Sequence, residues 1–160
     1  MSEPAAAPAL RRMRWWDVAA VHALEADLFG RSAWSVESFW GELAQPNRTF
    51  LVAVQPGGED VVGYGGILVA GADADVQTIG VARTAQGRGL GRRLLRALRT
   101  AAREAGAARL LLEVRADNAP AQALYRGEGF EQIARRARYY QPEDVDALIM
   151  RADLRADQRG

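Results

Sequence analysis

The chain has 160 residues and a mass of 17.4 kDa, a length that fits one domain able to bury roughly 70% of its unfolded surface without disulfide staples. Its 49% hydrophobic and 26% charged content matches a folded soluble protein, and no stretch approaches the ~18 consecutive apolar residues of a membrane span. Without cysteine there are no disulfides, thiolate nucleophiles, iron–sulfur clusters or cysteine-bound zinc; the 21 basic residues are all arginine, which removes the lysine of a P-loop, a protein kinase or a pyridoxal Schiff base; and the net charge of +1 points to no polyanionic partner.

Met1–Pro8 lacks the basic start and apolar stretch of a signal peptide, so residues 1–9 read as a flexible tail of a cytoplasmic protein. A single domain is expected over residues 10–154, followed by a short tail over 155–160. Leu10–Arg14 reads as a first strand. Asp17 is the predicted N-cap of an amphipathic helix carrying Val18, Val21, Leu24, Ala26 and Leu28, which Gly30 ends. His22, the only histidine, falls on that helix as an ordinary residue. The four serines (Ser2, Ser32, Ser35, Ser38) lie in the first quarter without a G-x-S-x-G elbow, which argues against a serine triad. Ser35 caps a second helix with Val36, Phe39, Trp40 and Leu43, stopped by Pro46 and Asn47. Trp15, Trp16 and Trp40 are expected as packing residues.

Thr49–Val54 and Val61–Ala70 are β-rich runs separated by the turn signal Pro56-Gly57-Gly58-Glu59-Asp60, and Ala74–Val81 is a third run. Leu90, Leu94, Leu95, Leu98 and Ala102 recur at helical spacing over Leu90–Glu104, with Gly106 as the stop. Arg109–Val114 reads as a buried strand. Asn118 opens a further helix through Tyr125, closed by Gly127 and Gly129; Phe130–Tyr140 and Asp146–Arg151 are the last strands. Two helices, a meander, then alternating strand and helix make an α+β architecture with a mixed sheet.

Two segments concentrate chemistry. Gln86-Gly87-Arg88-Gly89-Leu90-Gly91-Arg92 joins a strand to a helix, where glycines let backbone N–H groups converge on an anion such as pyrophosphate; a plain tight loop is the alternative. The dinucleotide fingerprint fails, because the register from Gly87 needs glycine where Arg92 stands. Arg92, Arg96, Arg99 and Arg103 share one side of the following helix. Arg88 and Arg92 lie next to the predicted anion site; Arg99 and Arg103 read as a solvated face, and the absence of a basic tail argues against nucleic-acid binding. In Leu112-Glu113-Val114-Arg115, strand alternation turns Glu113 away from its apolar neighbours, a position that also suits a solvent-facing glutamate.

Gln86-x-x-Gly89-x-Gly91, with Asn118 and Leu124-Tyr125-x-x-x-Gly129-Phe130 downstream, resembles the acetyl-CoA-binding core of the GNAT N-acetyltransferases over nearly the whole chain. Trp34-Ser35-x-x-x-Phe39, Leu112-Glu113-Val114-Arg115, Arg138-Tyr139-Tyr140 and Asp146-Ala147-Leu148-Ile149-Met150 resemble its RimI-type branch, the N-terminal alanine acetyltransferases of ribosomal proteins.

The resemblance implies a GNAT fold with splayed central strands. It also implies a β-bulge in Gln77–Val81, where Ile79 and Val81 offer backbone groups to pantetheine and the acetyl carbonyl and Gly80 allows close approach. Pyrophosphate would rest on Gly87, Arg88, Gly89, Leu90, Gly91 and Arg92. Asn118 would bond the pantetheine arm, although it is equally a good helix cap. Glu113 would take the amine proton through water, and Tyr125 would protonate the departing thiolate, uphill by only a unit or two for an ordinary phenol. Trp34, Tyr139 and Tyr140 would border the groove for the peptide N-terminus, or else belong to the core. Acetyl-CoA is the cosubstrate and no metal is expected. The partner is a protein N-terminus, with neither membrane nor direct nucleic-acid binding expected and the oligomeric state left open. Two readings compete. A GNAT enzyme for a small amine would need an acidic pocket, with Glu37, Glu42, Asp73 and Asp75 as candidates; a non-catalytic acyl-CoA-binding module could dispense with Glu113 and Tyr125, both of which are present.

Overall fold

Apolar residues at three- and four-residue spacing turn one face of α1 (Val18–Phe29) inward, with Val18, Val21 and Glu25 buried. The computed structural model describes residues 6–158 and divides the chain into two compact units. Residues 1–5, 159 and 160, at the ends of the two expected tails, lie outside the described residues. The first unit runs to Gly66 and includes Thr78–Arg96; the second comprises Ile67–Gln77 and the chain from Ala97 onward.

In the first unit, β1 (Ala9–Arg12) starts one residue ahead of the predicted domain and pairs antiparallel with β2 (Arg48–Val54), from Ala9↔Val54 to Arg12↔Leu51. The Ser35 Oγ accepts the Ser38 N–H at 3.1 Å and caps α2 (Val36–Leu43), as expected from its position. The helices close over Met13, Phe50, Val52, Val54 and Tyr64, with Leu24, Leu28 and Trp34 packed against that cluster. A second cluster gathers Ala53, Val62, Ala82, Ala85, Leu90 and Leu94. Successive residues of β2 feed the two clusters, which explains its unbroken apolar run: both faces are covered.

Two expectations in this unit are corrected. Asp17 does not cap α1 with its side chain. It ends a 3-10 turn over Trp15–Asp17, and its carboxylate accepts both guanidinium nitrogens of Arg11, at 2.7 and 2.9 Å, and the Arg14 N–H at 2.7 Å. The Arg11 bond, with the Arg14 N–H, holds this carboxyl below its usual range despite burial. Its stabilisation is therefore present above the unfolded carboxyl's pKa of about 3.9 and is lost as pH falls through the lowered folded value. Asp17→Ala is expected to cost about 2 kcal/mol and lower Tm by roughly 5 °C at pH 7, read by thermal melting, with the deficit shrinking in acid. The turn that faces Asp17 inward faces Trp15 and Trp16 out, Trp15 being 70% exposed; Trp40, on α2, is exposed as well, and none of the three is a packing residue.

β3 (Val61–Ala70), β4 (Asp73–Val81) and α3 (Leu90–Glu104) belong partly to each unit. Leu90, Leu94, Leu95, Leu98 and Ala102 are all buried along α3, as their spacing predicts. In the second unit β4 pairs parallel with β5 (Arg109–Arg115) over Asp73↔Arg109 to Asp75↔Leu111. β5 pairs along its length with β7 (Val145–Asp153), and β7 with β6 (Glu131–Tyr140), both antiparallel. Backbone pairing orders the seven strands β1-β2-β3-β4-β5-β7-β6, a mixed sheet as expected. α4 (Ala119–Gly127) follows β5. The β6 edge is exposed almost throughout, carries Arg135, Arg136 and Arg138, and shifts register twice against β7, features that discourage pairing with another chain.

Arg99 departs from the solvated role expected of it. Its guanidinium lies 5.7 Å from the Phe130 ring centroid, donates to the Glu128 carbonyl, and pairs with Asp157 at 2.9 Å. Arg103 reaches the same carboxylate at 3.3 Å, so the 3-10 turn Leu154–Gln158 is tied down within the stretch expected as a tail. Among the described residues, no helix is long and apolar enough to cross a membrane.

Candidate active site

The glycine segment builds the turn into α3. Gly87 and Gly89 both adopt φ +80, a conformation that disfavours any L side chain, and apart from their chain neighbours no described atom lies within 4 Å of where their Cβ atoms would sit. The loop is fastened at its start by Ala82 N–H to the Val62 carbonyl, 2.8 Å, and by the Gln86 amide to the Val81 carbonyl, 3.0 Å. Leu90 is buried, while Gly87, Arg88, Gly89 and Arg92 are exposed beside the first turn of a fifteen-residue helix. The first N–H groups of such a helix have no intrahelical acceptor and favour negative charge, so the loop suits a phosphate group.

Along β4, Ile79 and Val81 pack on the cluster that contains Leu90 and Leu94. Gly80 faces the other way, where a Cβ would come within 2.6 Å of the Tyr64 hydroxyl and 2.8 Å of Leu28 Cδ1. The missing side chain of Gly80 thus makes room for protein atoms.

Glu25 is a further residue of this unit, with no role expected from the sequence. Although the side chain is only 1% exposed, both of its oxygens meet neutral donors: the Trp34 backbone N–H at 2.7 Å to Oε2, the Tyr64 hydroxyl at 3.0 Å to Oε1, and the Thr78 hydroxyl to the same oxygen. Burial and the adjacent carboxylate push the Tyr64 phenol well above its ordinary pKa, which keeps it protonated and donating. The available signal was position, since Glu25 stands four residues after Val21 and seven after Val18 on the buried stripe. Trp34 packs at 5.2 Å on Phe39 and 6.2 Å on Phe50, so it contributes to the core while remaining half-buried.

The second unit brings together Glu113, Tyr125, Tyr139 and Tyr140. Leu112 and Val114 are buried while Glu113 turns to the open face of β5, as alternation predicts. The β5–β7–β6 register brings Arg136 to Glu113, with 3.4 Å between Nη1 and Oε1. Arg136 also lies over Tyr139, Arg115 over Tyr140, and the two tyrosine rings meet edge to face at 5.1 Å. Burial, then the charge of Glu113, raises the Tyr140 phenol, and Tyr140 in turn acts on Tyr125. Tyr125 is 7% exposed and packs on Phe130 at 5.9 Å; burial above all pushes its phenol up to about 12. Asn118 Oδ1 accepts the Ala121 N–H at 3.2 Å and caps α4, and the Gln122 amide holds that helix to the carbonyls of Arg115 and Ala116.

Two acidic candidates for a polycation pocket are already paired with arginine: Glu42 with Arg48 and Asp73 with Arg109, each at 2.5 Å. Asp75 is raised by its burial and by the carboxylates of Asp73 and Glu113.

The model of the acetyltransferase (GNAT) family matches residues 10–130. The N-alpha-acetyltransferase RimI of Mycobacterium tuberculosis is 43% identical over 157 residues, covering 95% of this chain and 94% of that protein. A Bacillus subtilis protein provisionally named as a ribosomal protein bS18-alanine N-acetyltransferase is 38% identical over 143 residues, covering 89% of this chain and 93% of the relative. The crystal structure of the ribosomal-protein-S18-alanine N-acetyltransferase from Escherichia coli superposes with a TM-score of 0.82 at 30% identity, covering 91% of this chain and 93% of the other.

Proposed function

From the chain's membership of the GNAT acetyltransferase family, we propose that it moves an acetyl group from acetyl-CoA to the α-amine of a protein N-terminus, the N-terminal alanine of a small-subunit ribosomal protein in the cytoplasm. The reading is carried by the 43% identity to RimI across 95% of the chain. Support also comes from the open glycine turn at the start of α3 and from the carboxylate and phenol gathered in the second unit.

The loop from Gly87 to Arg92 is assigned to the pyrophosphate, with backbone N–H groups and the Arg88 and Arg92 guanidiniums as the anion-binding set. Backbone groups of Ile79 and Val81 are assigned to the pantetheine and the acetyl carbonyl, within the proposed bulge of Gln77–Val81. Asn118, whose Oδ1 caps α4, keeps its amide NH2 for the pantetheine arm. Acetyl-CoA supplies an acyl carbon activated as a thioester.

Glu113 accepts, through water, the proton that the α-amine loses as its nitrogen bonds to the acyl carbon. A backbone N–H near Val81 stabilises the oxyanion, an interaction typically worth about 3 kcal/mol. As the C–S bond breaks, Tyr125 donates its proton to the thiolate, and net proton flow to solvent from Glu113 and back to Tyr125 completes the cycle. A free α-amine titrates near 8 and a lysine near 10.4, so stripping the second proton costs roughly 3 kcal/mol more, which favours an N-terminal acceptor. Trp34, Tyr139 and Tyr140 are assigned to the acceptor.

The test is a thiol-release assay on peptides beginning Ala-Arg, Ser, Met and Gly beside one with an internal lysine. The alanine peptide is expected to lead, by roughly tenfold or more over the lysine peptide. A dominant lysine signal, or binding of CoA without thiol release from any peptide, overturns the reading.

A further inference from the structure

We propose that Glu25 is a positioning residue for the acceptor: its buried carboxylate clamps the loop at Trp34 to β3 and β4, setting the place that the incoming N-terminus must fit. The inference rests on the assignment of Trp34 to the acceptor.

A carboxyl group at a buried position of an amphipathic helix is a poor choice for stability alone, because an apolar side chain of similar size would avoid the cost of desolvation. What the group provides is two oxygens that reach in different directions at once. Oε2 takes the Trp34 N–H at 2.7 Å and so holds the segment between α1 and α2, where Gly30 has just ended the first helix. Oε1 takes the hydroxyls of Tyr64 on β3 and Thr78 on β4. These partners stand 39 and 53 residues away in the chain, so one side chain joins a helix, a loop and two strands. The Tyr64 hydroxyl is wedged in turn against Gly80, whose absent Cβ would stand 2.6 Å from it. The clamp therefore runs from the Trp34 loop to the strand segment assigned to the thioester. A displaced Trp34 loop would weaken acceptor binding while leaving the glycine turn at α3 intact, because that turn is fastened separately, through Val62 and Val81.

Glutamine can replace Glu25 without loss of partners. Its oxygen can accept the Trp34 N–H, and its NH2 can donate to the Tyr64 and Thr78 oxygens, since hydroxyls accept as well as donate. Aspartate keeps the carboxyl group but is one methylene shorter and cannot span the same partners. Alanine removes the clamp.

The experiment is steady-state kinetics with an Ala-Arg peptide and acetyl-CoA for the wild type, Glu25→Gln, Glu25→Asp and Glu25→Ala, each checked for folding by its melting transition. Expected is a peptide KM raised about tenfold in Glu25→Asp and Glu25→Ala, an acetyl-CoA KM within about twofold of wild type, kcat within about threefold, and a peptide KM near wild type in Glu25→Gln. A residue that only supports the fold would reduce the active fraction and leave both KM values alone; that pattern, or an equal rise in both, overturns the proposal. If Glu25→Ala does not fold, Glu25→Asp carries the same comparison. Failure of the wild type to acetylate the peptide overturns the proposed function and this inference together, whereas a normal Glu25→Asp peptide KM beside an active wild type overturns the inference alone.

Discussion

Glu113→Gln is expected to lower kcat for an N-terminal alanine peptide by at least about 100-fold while the acetyl-CoA KM changes less than about twofold. Glutamine keeps the volume and the hydrogen-bonding reach of the side chain but cannot take up a proton near neutral pH. β5 should be undisturbed, because Leu112 and Val114 hold it through the opposite face and its pairing with β7 is made by the backbone. Arg136 would lose an ion pair at a 35% exposed side chain, a small effect on stability at such exposure. The deficit is expected to narrow above about pH 9, where more of the α-amine is already neutral and hydroxide competes as the proton acceptor. Thiol release measured from pH 6 to 10 reads both features; a Glu113→Gln enzyme within about threefold of wild type at pH 7 would remove Glu113 from the chemistry.

Tyr125→Phe is the second large effect, again about 100-fold or more in kcat with acetyl-CoA affinity nearly unchanged. Here the structure alters the energetics expected of an ordinary phenol. Burial carries Tyr125 up to about 12, so full transfer to a thiolate of ordinary pKa near 8.5 is uphill by roughly 3.5 units, about 5 kcal/mol, rather than by a unit or two. The phenol therefore acts mainly by hydrogen-bonding the sulfur as negative charge develops, and completes the transfer late. The raised value has a direct pH consequence: Tyr125 holds its proton throughout the working range, so wild-type kcat should reach its plateau as the acceptor amine deprotonates and stay level to about pH 10.5. A decline in kcat centred near pH 9 would show that a different acid serves the leaving group. Phenylalanine retains the packing on Phe130 at 5.9 Å, so the melting temperature should hardly move, separating lost chemistry from lost fold.

The local features of this protein were legible in its residues because they depend on neighbours a few positions apart. Ser35 and Asn118 cap their helices with side-chain oxygens three residues from the N–H groups they bind. The leucine spacing of α3, the alternation that exposes Glu113, and the two glycines with positive φ before that helix are of the same kind. Tertiary structure decided what depends on distant segments. Asp17 has the residue type and place of an N-cap, yet Arg11 on β1 lies close enough to take both carboxylate oxygens, and that bidentate pair displaces the cap. Trp15, Trp16 and Trp40 have the residue type of a core, but whether a covering element exists is a property of the assembled unit, and they stand exposed. Arg136 meets Glu113 only because β7 enters between β5 and β6, an order that the sequence of strands along the chain does not reveal. The carboxyl group of Glu25 is satisfied in its buried place because Tyr64 and Thr78, far along the chain, bring donors to it. Periodicity and capping are set by the fixed geometry of the backbone and act within a turn or a strand, whereas burial, ion pairing and the pKa of Tyr125 are set by which distant atoms exclude water, and that is determined only when the chain has closed on itself.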